Sequence, residues 1–218
     1  MVKREIRAIL LFALLVLASA SFARAQSLSP YFGMGTGTAS AGTSTGCPPQ
    51  RLFDSLNDAC EPAPKIGGLF GIFGADLMLL PHLGINGEYA FRFGQAPFLP
   101  LGGLNFRPAF YDFNVVWQPF SLLRIVPVVE GGFGVARVSL YATQTTTVAG
   151  ITNTTNVGAG GANHFQEHAA LGVKLYITSD IFIKPQFDFH YVPHLTDQFG
   201  RDWVPQYTVA VGYTFGRR

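Results

Sequence analysis

The chain has 218 residues, of which 48% are hydrophobic, 14% aromatic and only 13% charged, and its mean hydropathy is +0.26. Residues 1–25 hold four of the fifteen basic residues and one of the thirteen acidic ones, which leaves 11 basic and 12 acidic residues in 26–218. This near-neutral balance, without any cluster of lysine or arginine among aromatic residues, excludes nucleic-acid binding.

The N-terminus carries the features of a secretory signal peptide. Three basic residues within the first seven precede an apolar run over residues 8–18, and a small-x-small motif follows at residues 23–25. The run is shorter than the roughly 20 residues that a transmembrane helix needs, whereas the three features together suit a signal peptidase. We expect cleavage after Ala25, so that residues 1–25 are the signal peptide and residues 26–218 form one domain.

The rest of the chain alternates between apolar residues and polar or small ones. In Pro205–Phe215 the odd positions from Tyr207 onward are aromatic or valine, whereas the even ones are Gln, Thr, Ala or Gly. This period of two is typical of β-strands with one apolar face. It predicts eight strands, at residues 28–40, 66–77, 84–94, 106–118, 124–141, 164–178, 181–194 and 204–215.

The connections between these strands alternate in length. Short ones cover residues 80–83, 119–123 and 179–180, and long ones cover residues 41–65, 95–105, 142–163 and 195–203. Outer-membrane barrels combine an even strand number with short turns at one end and longer loops at the other. The sequence therefore predicts an all-β fold, an eight-stranded antiparallel up-and-down transmembrane β-barrel with its long loops outside the cell. A soluble β-sandwich, which alternates in the same way, is the alternative.

Residues 26–218 resemble the small eight-stranded outer-membrane barrels of the OmpA transmembrane-domain, OmpX and opacity-protein type. The resemblance rests on the signal ending at residues 23–25, the alternating strands, and the last strand, Tyr207–Phe215, with its aromatic ends. In such families a last strand of this kind is recognised by the barrel-assembly machinery, although here residues 216–218 follow the terminal aromatic. The resemblance implies a monomer in the bacterial outer membrane, in contact with its lipids and lipopolysaccharide.

Two cysteines, Cys47 and Cys60, both lie in the first long loop. In an oxidising compartment such a pair is expected to form a disulfide. Closing a loop of this size contributes about 3 kcal/mol to stability in the chain-entropy model. Two free thiols or a metal site are the alternatives to this structural disulfide.

Charged residues also fall opposite the apolar faces of the strands: Asp76, Glu88, Arg92, Asp112, Glu130, Lys174, Lys184 and Asp188. The lumen of an eight-stranded barrel is just wide enough for side chains to fill, and a charge isolated there is costly unless it is paired. We expect Arg92 and Lys174 to pair with carboxylates and to plug the lumen. The candidate partners are Glu88, Asp112, Glu130 and Asp188. A narrow ion path is the alternative.

The histidines do not predict a metal site. His164 and His168 lie four residues apart in a strand, which at ~3.3 Å per residue is about 13 Å, too far for one ion. His168 and His190 would face each other across a hairpin, but that register also sets Lys174 opposite Lys184, an unfavourable like-charge pair. We expect no metal and no cofactor.

No catalytic motif is present, and we expect that the chain is not an enzyme. Residues 194–196 come nearest to the Ser/His/acid set of lipid A deacylases but offer Thr in place of Ser, and the glycines at residues 33–37 lie in a strand without a following helix. Function is then expected in the extracellular loops, as adhesion or envelope integrity. The uncharged Thr/Asn/Gly/Ala segment 142–163 predicts a flexible exposed loop, adhesive or merely solvated cover. A porin-like channel is the alternative function, and a lipid-modifying enzyme is a third.

Overall fold

The computed structural model describes residues 27–39, 65–98, 104–148, 151–195, 199 and 201–216. The strands are β1 (Ser27–Ala39), β2 (Ile66–Met78), β3 (Leu83–Arg92), β4 (Ala96–Phe98), β5 (Leu104–Trp117), β6 (Ile125–Val148), β7 (Ile151–Tyr176), β8 (Ile181–Tyr191), β9 (Trp203–Tyr213) and β10 (Phe215–Gly216). Within the described ranges, no helix has the length and apolar character needed to cross a membrane.

The eight long strands form a closed antiparallel barrel. Their hydrogen-bonded order is β1-β2-β3-β5-β6-β7-β8-β9, and β9 pairs back onto β1 between Gln206 and Gly212. The short strands β4 and β10 extend the pairing of β5 and β1. Each strand of the ring therefore has a hydrogen-bonded neighbour on both sides, which is how a sheet satisfies its backbone in lipid. The predicted eight-stranded antiparallel barrel is confirmed.

Small residues make the seam between β1 and β9 possible. Gly33 lies opposite Ala210, and Gly35 lies opposite Thr208. A Cβ atom on Gly33 would lie 2.7 Å from Ala210 Cβ, and one on Gly35 would lie 2.7 Å from Thr208 Cγ2. Both separations are closer than carbon atoms pack, so the first and last strands of the ring close only because β1 carries glycine there.

The two ends of the barrel differ in their connections. At the turn end the strands are joined through residues 79–82, 118–124 and 177–180, and β1 begins and β9 ends there. The opposite end is called the loop end. The predicted strands are all present, and their ends agree within three residues except where β6 and β7 meet. The predicted long connection 95–105 also contains β4.

The prediction of a flexible loop over residues 142–163 is wrong. The described part of this segment belongs to the β6–β7 hairpin, which continues in register from Ala142 opposite Val157 to Val148 opposite Ile151. Threonine favours strands, and the ribbon adds side-chain hydrogen bonds such as that between Thr147 Oγ1 and Thr152 Oγ1 (3.2 Å). This part of the hairpin extends past the loop end of the barrel and buries neither face. Its sequence therefore lacks the apolar alternation that predicts the other strands.

The outer surface of the ring is apolar. Several large side chains on this surface are more than half exposed, among them Phe32 (62%), Phe113 (67%), Phe133 (61%) and Leu171 (61%). Exposed aromatic residues lie at both ends of this apolar band, with Trp117, Phe120, Tyr213 and Phe215 at the turn end and Trp203 at the loop end, and also in its middle. The buried polar side chains of the same strands point inward. The distribution of polar and apolar side chains is therefore the reverse of that in a soluble protein.

Candidate functional site

The candidate site is the lumen, which the inward-facing side chains fill. The buried polar residues of its middle part are Asp76, Asn86, Glu88, Asp112, Asn114, Glu130, Gln166, His168, Lys174, Lys184, Gln186, Asp188, His190, Gln206 and Thr208. None of these is more than 7% exposed. The structure therefore places seven of the eight charges expected in the lumen there, and the eighth, Arg92, is half-buried.

Near the turn end, two lysines and two carboxylates form the lysine cluster, defined as Asp76, Glu130, Lys174 and Lys184. Lys174 Nζ lies 2.8 Å from Asp76 Oδ2. Lys184 Nζ lies 2.6 Å from Glu130 Oε1 and 3.9 Å from Asp76 Oδ1. Lys174 on β7 and Asp76 on β2 come from opposite sides of the ring, so their ion pair joins opposite walls of the barrel, whereas Glu130 on β6 and Lys184 on β8 are separated only by β7.

The lysine cluster corrects two expectations. Lys174 pairs with Asp76, which was not among its candidate partners. The register that sets Lys174 and Lys184 side by side is also real, since Leu175 pairs with Ile183 one position away. The like-charge pair disfavours this register, but Asp76 lies within ion-pair distance of both ammonium groups and offsets their repulsion.

Arg92 does not pair with a carboxylate within the described residues, and the expectation that it does is wrong there. Its guanidinium lies 5.9 Å from the centroid of the Phe106 ring, and its Nη1 atom has no hydrogen-bond partner. The reason is its position, because β3 ends at Arg92 and the loop end of the lumen is lined by aromatic side chains. Glu88, which lies two inward-facing positions before Arg92 on β3, accepts a hydrogen bond from Tyr31 instead.

Uncharged polar residues that we did not single out from the sequence connect the charged ones. The Tyr31 hydroxyl donates to Glu88 Oε2 (2.6 Å). Asn86 Nδ2 donates to the Tyr31 hydroxyl (2.8 Å) and to Asp76 Oδ1 (2.6 Å). The Asn86 side chain also accepts from Asn114 Nδ2 (3.1 Å). Alternation along the strands predicts that Asn86 and Asn114 face the lumen, because they lie two residues from Glu88 and Asp112, respectively.

Toward the loop end lies the His–Asp cluster, defined as Asp112, His168, Asp188 and His190. The two imidazole rings stack with centroids 4.6 Å apart, because His168 and His190 are direct cross-strand partners in β7 and β8. His190 Nδ1 lies 3.8 Å from Asp112 Oδ2, and His168 Nε2 lies 3.4 Å from Asp188 Oδ1. The structure therefore sets His168 opposite His190, in the register that the repulsion between Lys174 and Lys184 disfavours.

Beyond the His–Asp cluster, aromatic rings close the lumen at the loop end. This aromatic cap is defined as Phe70, Phe98, Phe106, Phe110 and Phe199. The rings of Phe106 and Phe199 lie 5.0 Å apart, those of Phe98 and Phe106 lie 6.1 Å apart, and Phe110 stacks on His190 at 4.5 Å. Phe70, Phe106 and Phe199 are each 0% exposed. The cap therefore separates the polar lumen from the loop end.

Some expected features lie outside the described residues. The signal peptide, residues 1–25, and its cleavage after Ala25 belong to the part of the chain that is not described. The same holds for Cys47 and Cys60. Both the cleaved signal and the disulfide stay predictions.

No family description and no curated protein matches this sequence. Solved structures do match. The outer membrane protein OprG from Pseudomonas aeruginosa aligns with 88% of this chain and 97% of its own at 10% identity and a TM-score of 0.53. Neisserial surface protein A aligns with 87% and 97% at 10% identity and a TM-score of 0.51. The chain has the fold of the small eight-stranded outer-membrane barrels.

The same fold is found in the attachment invasion locus protein Ail of Yersinia pestis. Its complex with the heparin analogue sucrose octasulfate aligns with 87% of this chain and 99% of its own at 9% identity and a TM-score of 0.51. Structural matches at about 10% sequence identity establish the fold of this chain but not its function, because one fold hosts many activities. The resemblance drawn from the sequence is confirmed at the level of the fold.

Proposed function

We propose that the chain is a bacterial outer-membrane protein with a closed lumen, which acts in adhesion or envelope integrity through its loop-end segments. The observation that carries this proposal is the inverted burial of the barrel. Its charged side chains are buried inside, whereas its aromatic and branched apolar side chains are exposed outside. A closed barrel with this distribution suits lipid and not water.

The outer surface supports the membrane part of the proposal. A soluble monomer rarely exposes a contiguous apolar patch larger than a few hundred Å². Here the exposed apolar residues recur on every long strand of the ring, as Phe32 on β1, Phe73 on β2, Phe113 on β5, Phe133 on β6 and Leu171 on β7 illustrate. Such a band needs a surrounding apolar phase, which the hydrocarbon core of a bilayer supplies.

The packing of the lumen supports its closure. The lysine cluster, the His–Asp cluster and the aromatic cap follow one another from the turn end to the loop end. Their side chains reach nearly complete burial although they occupy the position of a pore, with Lys184 at 1% and Asp188 at 0% exposure. A conducting lumen keeps its lining in contact with water, so this arrangement favours a plug.

The β6–β7 hairpin supports a role at the surface. Its uncharged, threonine-rich strands are exposed from Thr143 to Thr147 and from Thr152 to Gly161. The hairpin projects from the loop end, the end that we expect to face the exterior, and loops held on a rigid scaffold are where binding residues concentrate. Two of the similar structures are named as surface or attachment proteins, which agrees with a surface role.

A narrow channel is the second candidate, favoured by one observation. A cavity of about 190 Å³ opens at the turn end, and Ser27, Ser29, Lys174 and Tyr176 are among its lining residues. Ions entering there would reach the Lys174–Asp76 pair.

The non-enzymatic character and the expected partners, namely lipopolysaccharide and the barrel-assembly machinery, remain predictions.

Location and orientation are tested together by labelling single-cysteine variants in intact cells, in a background in which Cys47 and Cys60 are replaced by serine. A probe that does not cross the membrane should label Thr146→Cys, on the hairpin, and should not label Ser179→Cys, at the turn end. Permeabilised cells, in which both sites should react, provide the control. Recovery of the folded protein in the periplasmic fraction, or labelling of Ser179→Cys in intact cells, would contradict the proposal.

A further inference from the structure

We infer that the His–Asp cluster is a binding site for a divalent first-row transition metal ion, with Asp112, His168 and His190 as ligands. Each of these residues offers one ligand atom, and the three atoms lie within 4.8 Å of one another. The three residues are 1%, 3% and 0% exposed. They belong to β5, β7 and β8, so an ion bound here joins three strands.

The polar atoms of the cluster lack the partners that buried groups normally have. Asp112 Oδ2, His168 Nε2 and both ring nitrogens of His190 lack a hydrogen bond of good geometry; their contacts are the longer ones between His168 Nε2 and Asp188 Oδ1 (3.4 Å) and between His190 Nδ1 and Asp112 Oδ2 (3.8 Å). Buried polar atoms are satisfied in the great majority of cases, so each exception needs an explanation. One such atom from each of the three residues lies within 4.8 Å of the other two, and a cation that binds between them would satisfy all three.

The remaining polar atoms of two of the ligands are held in the way metal ligands are held. Asn114 Nδ2 donates to Asn86 Oδ1 (3.1 Å), so the amide oxygen of Asn114 faces His168 and accepts from its Nδ1 (2.9 Å). This bond places a ring proton on Nδ1, so Nε2, which lies 3.4 Å from Asp188 Oδ1, is the nitrogen that would bind the ion. Metal-bound histidines characteristically donate their second ring N–H in this manner.

Asp112 is oriented by a similar contact. Gln166 Nε2 donates to Asp112 Oδ1 (2.5 Å), which leaves Oδ2 directed toward His190. Two imidazoles and a carboxylate suit Zn²⁺, Co²⁺, Ni²⁺ or Cu²⁺ and not Mg²⁺ or Ca²⁺, which prefer oxygen ligands. Asp188 Oδ1 lies 3.4 Å from His168 Nε2.

Binding requires a local adjustment. The planes of the stacked imidazoles differ by only 27°, so the lone pairs of the two rings do not converge on one point. His190 must turn out of its stack between Phe110 and His168. The 3.8 Å between His190 Nδ1 and Asp112 Oδ2 must also shorten a little, since ligands at about 2.0–2.1 Å around a tetrahedral ion lie about 3.4 Å apart.

The surroundings predict slow exchange of the ion. The aromatic cap lies on the loop-end side of the site, and the lysine cluster lies on the turn-end side. An ion that enters while the barrel folds should therefore be retained against a chelator added afterwards. This retention distinguishes the site from histidines on the surface, which lose metal rapidly.

The test uses Co²⁺, because its visible absorption reports coordination number. The full mature chain, without a histidine tag, is refolded from urea into detergent with Co²⁺, treated with EDTA and freed of unbound ions. We expect about one cobalt ion per chain and the intense visible bands of a four- or five-coordinate site. The double variant His168→Gln/His190→Gln should retain at least tenfold less cobalt. The control, His82→Gln, removes an exposed turn-end histidine and should match the wild type.

Heat-modifiable mobility on gels establishes that each preparation is folded. The inference would be overturned if folded wild-type protein retained less than about a tenth of an equivalent of cobalt. Equal retention by the double variant would overturn it as well, because the metal would then be bound elsewhere. If the double variant does not fold, the wild-type stoichiometry and the single variant Asp112→Asn, which keeps the size of the side chain, decide the question.

Discussion

Replacement of Lys184 by methionine should destabilise the folded barrel strongly. Lys184 Nζ lies 2.6 Å from Glu130 Oε1 and 3.9 Å from Asp76 Oδ1, and the side chain is 1% exposed. Methionine keeps an unbranched stem of similar length but removes the charge. Glu130 is then left buried without its cation, whereas Asp76 keeps Lys174 at 2.8 Å.

The magnitude follows from the environment of the pair. Removal of one partner from a buried ion pair costs about 3–5 kcal/mol, because the other charge is left uncompensated. Since only one of the two carboxylates loses its main partner, we expect about 3 kcal/mol for Lys184→Met. The double variant Lys184→Met/Glu130→Gln removes both charges and should be less destabilised than Lys184→Met alone, because apolar replacement of a complete buried pair is often nearly neutral.

The free energy of unfolding is measured by urea titration in lipid vesicles, with tryptophan fluorescence and gel mobility as independent probes. Thr146→Ala on the exposed hairpin is the control and should change stability by no more than about 0.5 kcal/mol. Arg92→Ala should fall between the two, because Arg92 is half-buried and forms no ion pair within the described residues. Equal losses for Lys184→Met and Thr146→Ala, or strict additivity of the Lys184 and Glu130 changes, would refute the reasoning.

Three further predictions concern the seam, the outer surface and the polar network. Gly33→Val should prevent ring closure and abolish heat-modifiable mobility, whereas Gly87→Val, where a Cβ atom meets nothing within 4 Å, should leave it intact. Val209→Arg should cost about 2–4 kcal/mol of unfolding free energy in lipid vesicles as a charge on the lipid face, whereas Thr145→Arg on the hairpin should be tolerated; equal effects would argue against the membrane band. Tyr31→Phe should cost about 1–3 kcal/mol by the same urea titration, because Glu88 and Asn86 lose a buried partner; an unchanged unfolding midpoint would contradict this.

Much of the barrel could be predicted because period-two alternation reports which face of a strand meets lipid. In β9, for example, Tyr207, Val209 and Val211 are exposed, and the intervening Thr208 and Ala210 are buried. The same parity predicts that the charges point inward. Strand number and the alternation of turns and loops then follow from the spacing of these segments along the chain.

The partners inside the lumen could not be predicted, because they are not neighbours in the sheet. Lys174 on β7 meets Asp76 on β2 across the lumen, and that contact depends on the register of every strand pair between them. The His168–His190 pair was within reach of sequence reasoning, since it is a direct cross-strand pair. The repulsion between Lys174 and Lys184 argues against this pair, but Asp76 on a distant strand offsets that repulsion.

The length of the β6–β7 hairpin could not be predicted from hydrophobic patterning. Outside the apolar band neither face of a ribbon is buried, so no alternation marks its strands. Its pairing rests on the β propensity of threonine and on contacts such as that between Thr143 Oγ1 and Asn156 Oδ1 (3.2 Å). A low-complexity composition is therefore compatible with a regular hairpin when a rigid barrel holds both of its strands at the base.

Single-channel recording in planar lipid bilayers tests most directly the claim that the lumen is closed by its own side chains. The preparation is wild-type protein shown to be folded by its heat-modifiable mobility. The account predicts no steady conductance from the wild type, and small, frequent openings when Lys184→Met breaks the lysine cluster. A steady open conductance in the wild type that Lys184→Met leaves unchanged would contradict the plug and establish the channel instead.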